Sequence, residues 1–283
     1  MIVPTAYFTA FAVQHPVLQH ETPIATIWRV KRQDGSPAAI KLYKNDDLKD
    51  ESPGFDLLRR LQGQGAVQIY AQSGPAILME WLTGPLLGDF TRQGQDESAS
   101  LRLVQVAAGL QTFDLAIPTL PKLADRFQPL FDAKFSPDCP STSQSTLRHA
   151  TALAKDLLAN QSNIRPLHGD LHHDNIACTA RGDLAFDAKG VLGDRAYELA
   201  NAFRNPLGWE KRYTQPETIL ARAAIWSAHY NVPQTQLLNW AATHSALSIA
   251  WTCGGVFEQA CANQTPFIDT LLTLSAQSSR HGI

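Results

Sequence analysis

The 283-residue sequence has few charges of either sign, and this shortage excludes several classes of protein. Charged residues make up 18% of the chain, and the formal net charge is -2 at a pI near 6.5. Such a chain has no general attraction to nucleic acid or to an anionic membrane. Its apolar first residues carry no basic leader and are interrupted by Pro4, so we predict neither a signal peptide nor a membrane span. We therefore expect a cytoplasmic monomer or weak dimer without nucleic-acid or membrane partners.

Cysteine is also scarce, with four residues and no CxxC pair among them. This scatter argues against a zinc ribbon or a disulfide framework. We predict that each cysteine is a small apolar side chain of the core. They are Cys139, Cys178, Cys253 and Cys261.

Apolar residues, at 44%, are numerous enough for a sizeable core. The first eighty residues predict strands, with hairpin turns at Asp34-Gly35 and at Ser73-Gly74-Pro75. "FDLLRRLQGQG" between them predicts a short helix that ends at Gly63 or Gly65. From about Ser98 onward, apolar residues recur at helical spacing. The composition of "FSPDCPSTSQS", 135–145, predicts a loop in this half of the chain. The chain is thus predicted to be α+β, with a β-rich lobe at 1–82 joined through "EWLTGPLLG" to a helical lobe at 83–283.

One stretch of the helical half differs from its surroundings. "PLHGDLHHDNIACTARGDLAFDAKG", 166–190, interleaves four Asp, three His and one Asn with apolar residues. It predicts two strands around Arg181-Gly182, in which Asn175 lies within one position of facing Asp187. Cross-strand neighbours are about 5 Å apart, so an amide oxygen and a carboxylate would meet at a spot suited to Mg²⁺. Asp170, on the loop that enters the hairpin, would overlook that spot.

Two other interpretations of this stretch remain open at this point. The aspartates can cap turns beside exposed histidines, or His168, His172, His173 and Asp174 can bind zinc, since their spacing is ligand-like. A zinc site needs a helix or a rigid loop to present two imidazoles, and Gly169 argues against a helix.

"HGDLHHDN", followed twelve residues after Asn175 by Asp187, resembles the catalytic loop and metal-binding aspartate of the aminoglycoside phosphotransferase family. The longer "LHGDLHHDNI…LAFDAKGVLGDRAYELANAFRNP" is most similar to the streptomycin 6-kinase and hydroxyurea phosphotransferase branch. The resemblance extends over nearly the whole chain. It implies a bilobal protein-kinase-like fold that uses ATP and Mg²⁺. Asp170 would be the base or would orient the acceptor hydroxyl, Asn175 and Asp187 would hold Mg²⁺ against the ATP phosphates, and His168 would be structural.

The same resemblance assigns nucleotide-binding residues to the first lobe. Lys41, in "AAIKLYK", would bind phosphate with Glu51 as its partner, or Asp56 in its place. "LMEWLTG" resembles the interlobe hinge, where the backbone of Glu80 and Leu82 would bind adenine and Met79 would line the pocket. No GxGxxG is present, so a Ser/Thr-bearing loop is expected instead, with Thr22 and Thr26 as candidates.

The acceptor is predicted to be a small molecule. Asp187 is followed by only "AKGVLGD" before "RAYELANAFR" predicts a helix capped by Asp194, and no A-P-E triplet follows, so no peptide platform can form. From Asp194 onward six acids balance six bases, which gives no acidic field for a polycation. His172 or Asp174 would contact either the acceptor or the loop backbone. The other candidate acceptor contacts are Asp194, Glu198 and Glu258. The four tryptophans of this region would line the cleft or belong to the core: Trp209, Trp226, Trp240 and Trp251.

We therefore predict an ATP-dependent kinase that phosphorylates a hydroxyl of an aminoglycoside-like or related small metabolite. Two alternatives stay open. One is a kinase of the same fold that acts on a sugar amine, choline or homoserine. The other is a nucleotide-binding regulator without turnover.

Overall fold

The first lobe of the computed structural model is built on a five-stranded antiparallel sheet of order β1-β2-β3-β5-β4. The structure describes residues 5–44, 48, 51–113, 117 and 119–281. The elements of this lobe are α1 (Thr5–Ala10), β1 (Gln14–Glu21), β2 (Ala25–Lys31), β3 (Pro37–Tyr43), α2 (Ser52–Leu61), β4 (Ile69–Ser73) and β5 (Ala76–Glu80).

The side chains of strand β3 show what each face of the sheet packs against, because successive side chains of a strand point to opposite sides. Ala38 and Ile40 belong to a small apolar cluster with Trp28 and with Phe8 of α1. Ala39 and Tyr43 belong instead to the large core shared with the second lobe. Lys41 has the same parity as these two residues and therefore points toward the second lobe.

The second lobe is mostly helical and is organised around α10. This helix is apolar on all sides, as expected of a helix with neighbours all round, and it packs on α6, α7, α9 and α11. The elements of this lobe are α3 (Leu87–Arg92), α4 (Asp96–Leu110), α5 (Leu123–Arg126), α6 (Gln128–Asp132), β6 (Lys134–Phe135), α7 (Ser141–Ala159), β7 (Ile164–Leu167), β8 (Ile176–Thr179), β9 (Gly182–Ala185), β10 (Val191–Asp194), α8 (Glu210–Tyr213), α9 (Pro216–Tyr230), α10 (Gln234–Thr252), β11 (Val256–Phe257) and α11 (Thr265–His281), with 3-10 turns at His173–Asn175, Arg195–Leu199, Asn201–Arg204 and Gln259–Gln264. No helix of the described residues is long and apolar enough to cross a membrane.

The predicted α+β architecture and its two hairpins in the first lobe are confirmed, but several boundaries differ. Helix α2 was predicted to end at Gly63 or Gly65, but its last residue is Leu61. Gln62, not a glycine, adopts the left-handed conformation (φ 50) that closes it. "RAYELANAFR" forms two 3-10 turns instead of one helix, and α7 begins at Ser141, inside the predicted 135–145 loop. Helix α1 and the short strands β6, β7, β10 and β11 were not predicted, because two to six residues carry too little periodicity.

The hairpin of the polar stretch has a different centre from the predicted one. Ile176 pairs with Ala185 and Thr179 with Gly182, so the turn centres on Ala180 and Arg181. Asn175 then faces Phe186, whose N–H donates to the Asn175 carbonyl at 3.0 Å. The expectation that Asn175 lies within one position of facing Asp187 is therefore correct despite the shifted turn.

The prediction for the cysteines is wrong for two of the four. Cys253, after α10, and Cys261, in the 3-10 turn before α11, form a disulfide. Cys139 is buried and free, as predicted, and Cys178 is free and partly exposed. Spacing alone could not indicate the bond, because the two residues approach only when the Gly254-Gly255 segment reverses the chain.

Candidate active site

The loop between β7 and β8 begins at His168, whose ring is fully used inside the protein. Its Nε2 lies 2.9 Å from the Phe186 carbonyl and donates to it, while Nδ1 accepts from the Asp170 N–H at 3.3 Å. This pattern requires the neutral ring, and burial lowers the pKa of His168 to about 4. His168 therefore shapes the loop, which is the structural role that the family resemblance implies.

Asp170 is held in place by two amides at the open side of this loop. Asn201 Nδ2 donates to Asp170 Oδ1 at 2.8 Å. Asn175 Nδ2 donates to the backbone carbonyl of Asp170 at 2.9 Å. Asn201 binds Oδ1 closely, whereas Oδ2 receives only a long contact of 3.5 Å from Asn175 Nδ2, so Oδ2 is the oxygen more available to an incoming hydroxyl. Asn201 was not predicted; its only signal was an amide within the apolar "RAYELANAFR".

Glu198 and Asp194 were predicted to contact the acceptor, but both are buried, and Glu198 lies beneath the loop. Glu198 accepts from the backbone N–H groups of His168 and Gly169 at 2.8 and 3.0 Å. Burial raises the pKa of Glu198 to about 7. Asp194 caps the following 3-10 turn by accepting from the Ala196 N–H at 2.9 Å, which is the predicted N-cap. Both carboxylates orient backbone and do not reach a cleft.

Asn175 and Asp187, the predicted metal ligands, are both at the end of the hairpin, where Asn175 faces Phe186, the residue before Asp187. Because the Asn175 amide nitrogen is bound to Asp170, its oxygen must point the other way. Asp187 adopts the left-handed conformation (φ 59), which aspartate tolerates better than most side chains and which is common at functional sites. An amide oxygen and a carboxylate are hard ligands, so this pair fits Mg²⁺ with phosphate oxygens and water completing its shell.

A zinc site does not form in the described part of the chain, where no group of three or more His, Cys, Asp and Glu side chains could hold a metal. His172 Nδ1 accepts from the Asp174 N–H at 3.2 Å and caps the 3-10 turn. His173 is fully buried. Asp174 forms an ion pair with Arg92 at 2.8 Å. His172 and Asp174 thus contact loop backbone and α3, which was one of the two predicted alternatives.

Lys41 connects the first lobe to this site through two carboxylates. Its ammonium lies 2.6 Å from Glu51 Oε2 and 3.2 Å from Asp187 Oδ1. Burial alone would lower the pKa of Lys41, but Asp187 and Glu51 raise it above its ordinary value. Lys189, two residues after Asp187, binds the other oxygen of Glu51 at 2.9 Å.

Glu51 therefore receives two ammonium groups, and the hydroxyl of Tyr43 also donates to it. Burial works against its ionisation, but Lys41 and Lys189 overcome this and lower the pKa of Glu51 to about 2. The helix α2 that follows Glu51 touches the Asp187 segment directly. A Cβ on Gly54 would lie 1.7 Å from the Ala188 carbonyl oxygen, so only glycine fits there.

The remaining nucleotide-binding candidates are distributed over different surfaces. Met79 pairs with Ala39 and so shares the sheet face of Lys41, and Leu82 follows β5 in the segment that links the lobes. The Glu80 carboxylate forms an ion pair with Arg181 at 2.6 Å, and the Glu80 N–H donates to the Gln68 carbonyl at 2.8 Å. Thr26 is not on the Lys41 face.

Thr26 pairs with Leu42, so it points to the side covered by α1, and its hydroxyl accepts from the Trp28 indole at 3.0 Å. The Thr22 hydroxyl donates to the Ala25 carbonyl at 3.0 Å. Neither threonine therefore presents a free hydroxyl to the cleft side of the sheet.

A cavity of about 560 Å³ opens beside Asp170. Trp251 lines it, and the guanidinium of Arg126 lies 4.7 Å from the Trp251 ring centre. Trp226 and Trp240 are fully buried in the core. Glu258 is exposed outside this cavity. The lining residues are Pro53, Pro121, Asp125, Arg126, Pro129, Asp170, Lys189, Val191 and Trp251.

The two lobes and the lysine, aspartate and asparagine at their junction define a small-molecule phosphotransferase of the protein-kinase-like fold. The chain belongs to the aminoglycoside/hydroxyurea antibiotic resistance kinase family, whose sequence profile matches residues 10–255. The streptomycin 3''-kinase of Klebsiella pneumoniae is 36% identical over 231 residues, which cover 79% of this chain and 82% of that protein.

Solved structures at low identity share the fold. A thermostable mutant of aminoglycoside phosphotransferase APH(4)-Ia, in a ternary complex with AMP-PNP and hygromycin B, superposes with a TM-score of 0.65 at 13% identity, covering 97% of this chain and 99% of that one. A choline/ethanolamine kinase family protein from Mesorhizobium loti has a TM-score of 0.64 at 11% identity, covering 98% of this chain and 90% of that one. The bilobal protein-kinase-like fold predicted from the sequence is confirmed.

Proposed function

We propose that this kinase transfers the γ-phosphate of ATP to a hydroxyl group of an aminoglycoside-like molecule bound in the cavity beside Asp170. The observation that carries the proposal is the position of Asp170, which lines a cavity of about 560 Å³ while Asn175, bonded to its backbone, adjoins the Lys41–Asp187 ion pair. An acceptor in the cavity and a nucleotide at the ion pair would thus meet at Asp170.

Asp170 would orient the acceptor hydroxyl and accept its proton. Oδ1 is fixed by Asn201, and Oδ2 has only a 3.5 Å contact with Asn175 Nδ2, so Oδ2 would receive a hydrogen bond from the hydroxyl without reorienting. Glu198 supports this geometry from below by holding the two backbone N–H groups that precede Asp170. Phosphoryl transfer depends mainly on positioning and on neutralising phosphate charge, so few protein groups are needed.

Lys41, Asn175 and Asp187 would bind the phosphates. The ammonium of Lys41 is held at 2.6 Å by Glu51, which fixes where it meets a phosphate oxygen. Mg²⁺, when bound by Asn175 and Asp187, supplies positive charge to the phosphate oxygens. Adenine would lie beside Met79, against the backbone of the linker around Glu80 and Leu82. The boundary between the two lobes would then fall after Leu82, giving lobes 1–82 and 83–283.

The acceptor class follows from the cavity and from the relatives. A volume of about 560 Å³ suits a molecule of several rings better than one of a few atoms. The 36% identical relative is a streptomycin 3''-kinase, which favours an aminoglycoside-like acceptor. The lining carries two acids and two bases, Asp125 and Asp170 against Arg126 and Lys189. This balance also suits choline-like, sugar-amine and homoserine acceptors, which remain the second candidate.

The decisive experiment measures ATP consumption by the purified chain with streptomycin, hygromycin B, hydroxyurea, choline and homoserine in parallel. We expect turnover with an aminoglycoside, and ³¹P NMR of the product identifies the phosphorylated hydroxyl. Turnover with choline or homoserine alone would move the assignment to the second candidate. Nucleotide binding with every acceptor inert would instead support a regulator.

Because ATP is a cytoplasmic substrate, we place the reaction in the cytoplasm, where thiol trapping in intact cells can test the state of Cys253 and Cys261.

A further inference from the structure

Arg204, at the end of the 3-10 turn Asn201–Arg204, has no partner for its charge among the residues that the structure describes. Its Nη1 is buried without a hydrogen bond, and no described carboxylate pairs with the guanidinium. Arginine keeps its charge in proteins, so a partly buried guanidinium whose Nη1 has no partner is costly. Burial lowers the pKa of Arg204, and the Tyr213 phenol, with no carboxylate, is the only group that acts against this effect among the described residues.

The neighbouring buried arginine shows how differently this protein treats a structural cation. Arg222 donates to Asp96 at 2.7 and 3.2 Å, and to the carbonyls of Ala202 and Asn205 at 2.9 and 2.8 Å. Its guanidinium is thus saturated within the fold. Arg204 lies in the segment that supplies the two carbonyls, but among the described residues no acceptor meets its own Nη1, which indicates that its acceptor comes from outside the chain.

Arg204 lines a separate cavity of about 440 Å³ between α8, α10 and α11. The lining combines hydrogen-bonding side chains with an apolar wall at Ile249, Pro266 and Phe267. Glu210 is the one acid among the lining residues, and its carboxylate is held by the Gly208 N–H at 2.9 Å. The lining residues are Arg204, Glu210, Tyr213, Thr214, Ser245, Ile249, Asn263, Gln264, Pro266, Phe267 and Thr270.

This cavity is distinct from the one beside Asp170, because the two are lined by opposite faces of α10. Ser245 and Ile249, four residues apart, share one face of the helix and line the Arg204 cavity. Trp251 is two residues further, about 200° around the helix axis, and lines the Asp170 cavity. None of the residues that line one cavity lines the other.

We propose that the Arg204 cavity binds a small organic anion, whose carboxylate or phosphate group pairs with the Arg204 guanidinium and whose apolar part packs against Phe267. A planar guanidinium matches both head groups through two parallel hydrogen bonds. The apolar wall accounts for the organic part of the ligand, and Tyr213 and Asn263 in the lining offer further hydrogen bonds. This site is independent of the proposed kinase reaction, since it shares no residue with the phosphate-binding groups or with Asp170.

Isothermal titration calorimetry of the full chain tests the site with two probes, phenylacetate and phenyl phosphate, and with neutral phenylacetamide as the reference. The buffer contains a chelator and no nucleotide, and each titration is repeated in Lys41→Met, so that binding at the phosphate-binding residues is recognised. We expect one of the two anions to bind at 1:1 stoichiometry in both proteins and phenylacetamide not to bind. The anion that binds identifies the head group as carboxylate or phosphate.

Arg204→Met should weaken that binding by about tenfold or more, the effect of losing a charge-assisted hydrogen bond. Arg212→Met removes an exposed arginine of α8 and should leave the dissociation constant unchanged. Arg204→Lys, which keeps the charge without the planar fork, should bind with intermediate affinity and serves if the methionine variant does not fold. Unfolding in urea without ligand distinguishes binding from a structural role. If Arg204 only stabilised the fold, Arg204→Met would be less stable than the wild type, whereas we expect it to be at least as stable. Failure of both anions to bind, or equal binding by Arg204→Met, would overturn the proposal.

Discussion

The ammonium of Lys41 lies 3.2 Å from Oδ1 of Asp187, although 146 positions separate the two residues in the chain. Lys41 comes from β3 of the first lobe, and Asp187 follows β9 of the second. Glu51 holds the same ammonium at 2.6 Å and is itself bound by Lys189 from the Asp187 segment. Two cations and two carboxylates thus join the lobes at the point where we propose that phosphate binds.

Lys41→Met should lower kcat/KM for ATP by about 100-fold, because it removes a charge-assisted contact to phosphate worth roughly 2–3 kcal/mol. Steady-state kinetics with varied ATP measure the loss. Lys44→Met is the matched control, since Lys44 directly follows the same strand and forms an ion pair with Glu21 at the surface. Equal kinetics in the two variants would remove Lys41 from phosphate binding.

Asp170→Asn should lower kcat by about 10²–10⁴ while nucleotide affinity is unchanged, because the lost carboxylate acts on the acceptor hydroxyl. Turnover and nucleotide binding are measured on the same preparation. Asp156→Asn, an exposed aspartate of α7, controls for the loss of one negative charge. A fully active Asp170→Asn enzyme would show that another group receives the proton.

Asp187→Asn should abolish turnover, and excess chelator should do the same to the wild type, because both remove divalent metal from the phosphates. Added Mg²⁺ should restore the chelated wild type but not the variant. Activity that persists in chelator would contradict the assignment of Asn175 and Asp187 as metal ligands.

Glu198 should make stability depend on pH in an unusual direction. Its pKa is raised from 4.5 to about 7 in the folded protein, so the folded state binds more protons between these values. The associated stability is present below pH 4.5 and is lost as pH rises to about 7, by roughly 3 kcal/mol. Buried His168, with its pKa lowered to about 4, acts in the opposite direction.

The Glu198 effect is isolated by comparing the wild type with Glu198→Gln in urea unfolding at several pH values, because His168 titrates in both proteins. The free energy of unfolding of the wild type, relative to the variant, should fall from pH 4.5 to pH 7 and then stay level. A difference that does not change with pH would mean that Glu198 is ionised throughout.

The Cys253–Cys261 disulfide closes a short loop, and its removal should lower the free energy of unfolding by about 2–3 kcal/mol. Denaturant unfolding of the variant that carries Cys253→Ser and Cys261→Ser measures this loss, and reductant should bring the wild type to the same value. Titration of the oxidised protein should find two free thiols, those of Cys139 and Cys178. Four reactive thiols in the protein without reductant would show that the bond does not form.

The local sequence was sufficient to predict which residues of the polar stretch come together and to recognise its resemblance to a kinase loop. "HGDLHHDN" and the following hairpin bring Asp170, Asn175 and Asp187 together within eighteen residues, so short-range geometry decides their proximity. The hairpin prediction tolerated a turn shifted by one residue, since neighbouring positions remain close on either register. Lys41 was likewise recognisable as a cation inside an apolar strand.

Burial and long-range contacts could not be obtained in this way, because they depend on which surfaces meet after folding. Asp194 and Glu198 look like cleft residues in the sequence, but both are buried: Asp194 ends β10, which pairs with β7, and Glu198 lies beneath the loop. Asn201 is one more polar residue in the sequence, and only the 3-10 turn that contains it brings its amide to Asp170.

By itself, the sequence determined the fold class, through periodicity and turn chemistry, and the proximity of the loop and hairpin residues, through their short spacing. The family followed from the resemblance of "HGDLHHDN" and the downstream Asp187 to a known kinase loop. Only the tertiary structure decided that Lys189 shares Glu51 with Lys41, that Cys253 meets Cys261, that Thr26 points away from the cleft, and that Arg204 lines a cavity without a partner. The physical reason is that a side chain acquires its partners and its access to solvent from surfaces distant in sequence, and no local pattern encodes which surface arrives.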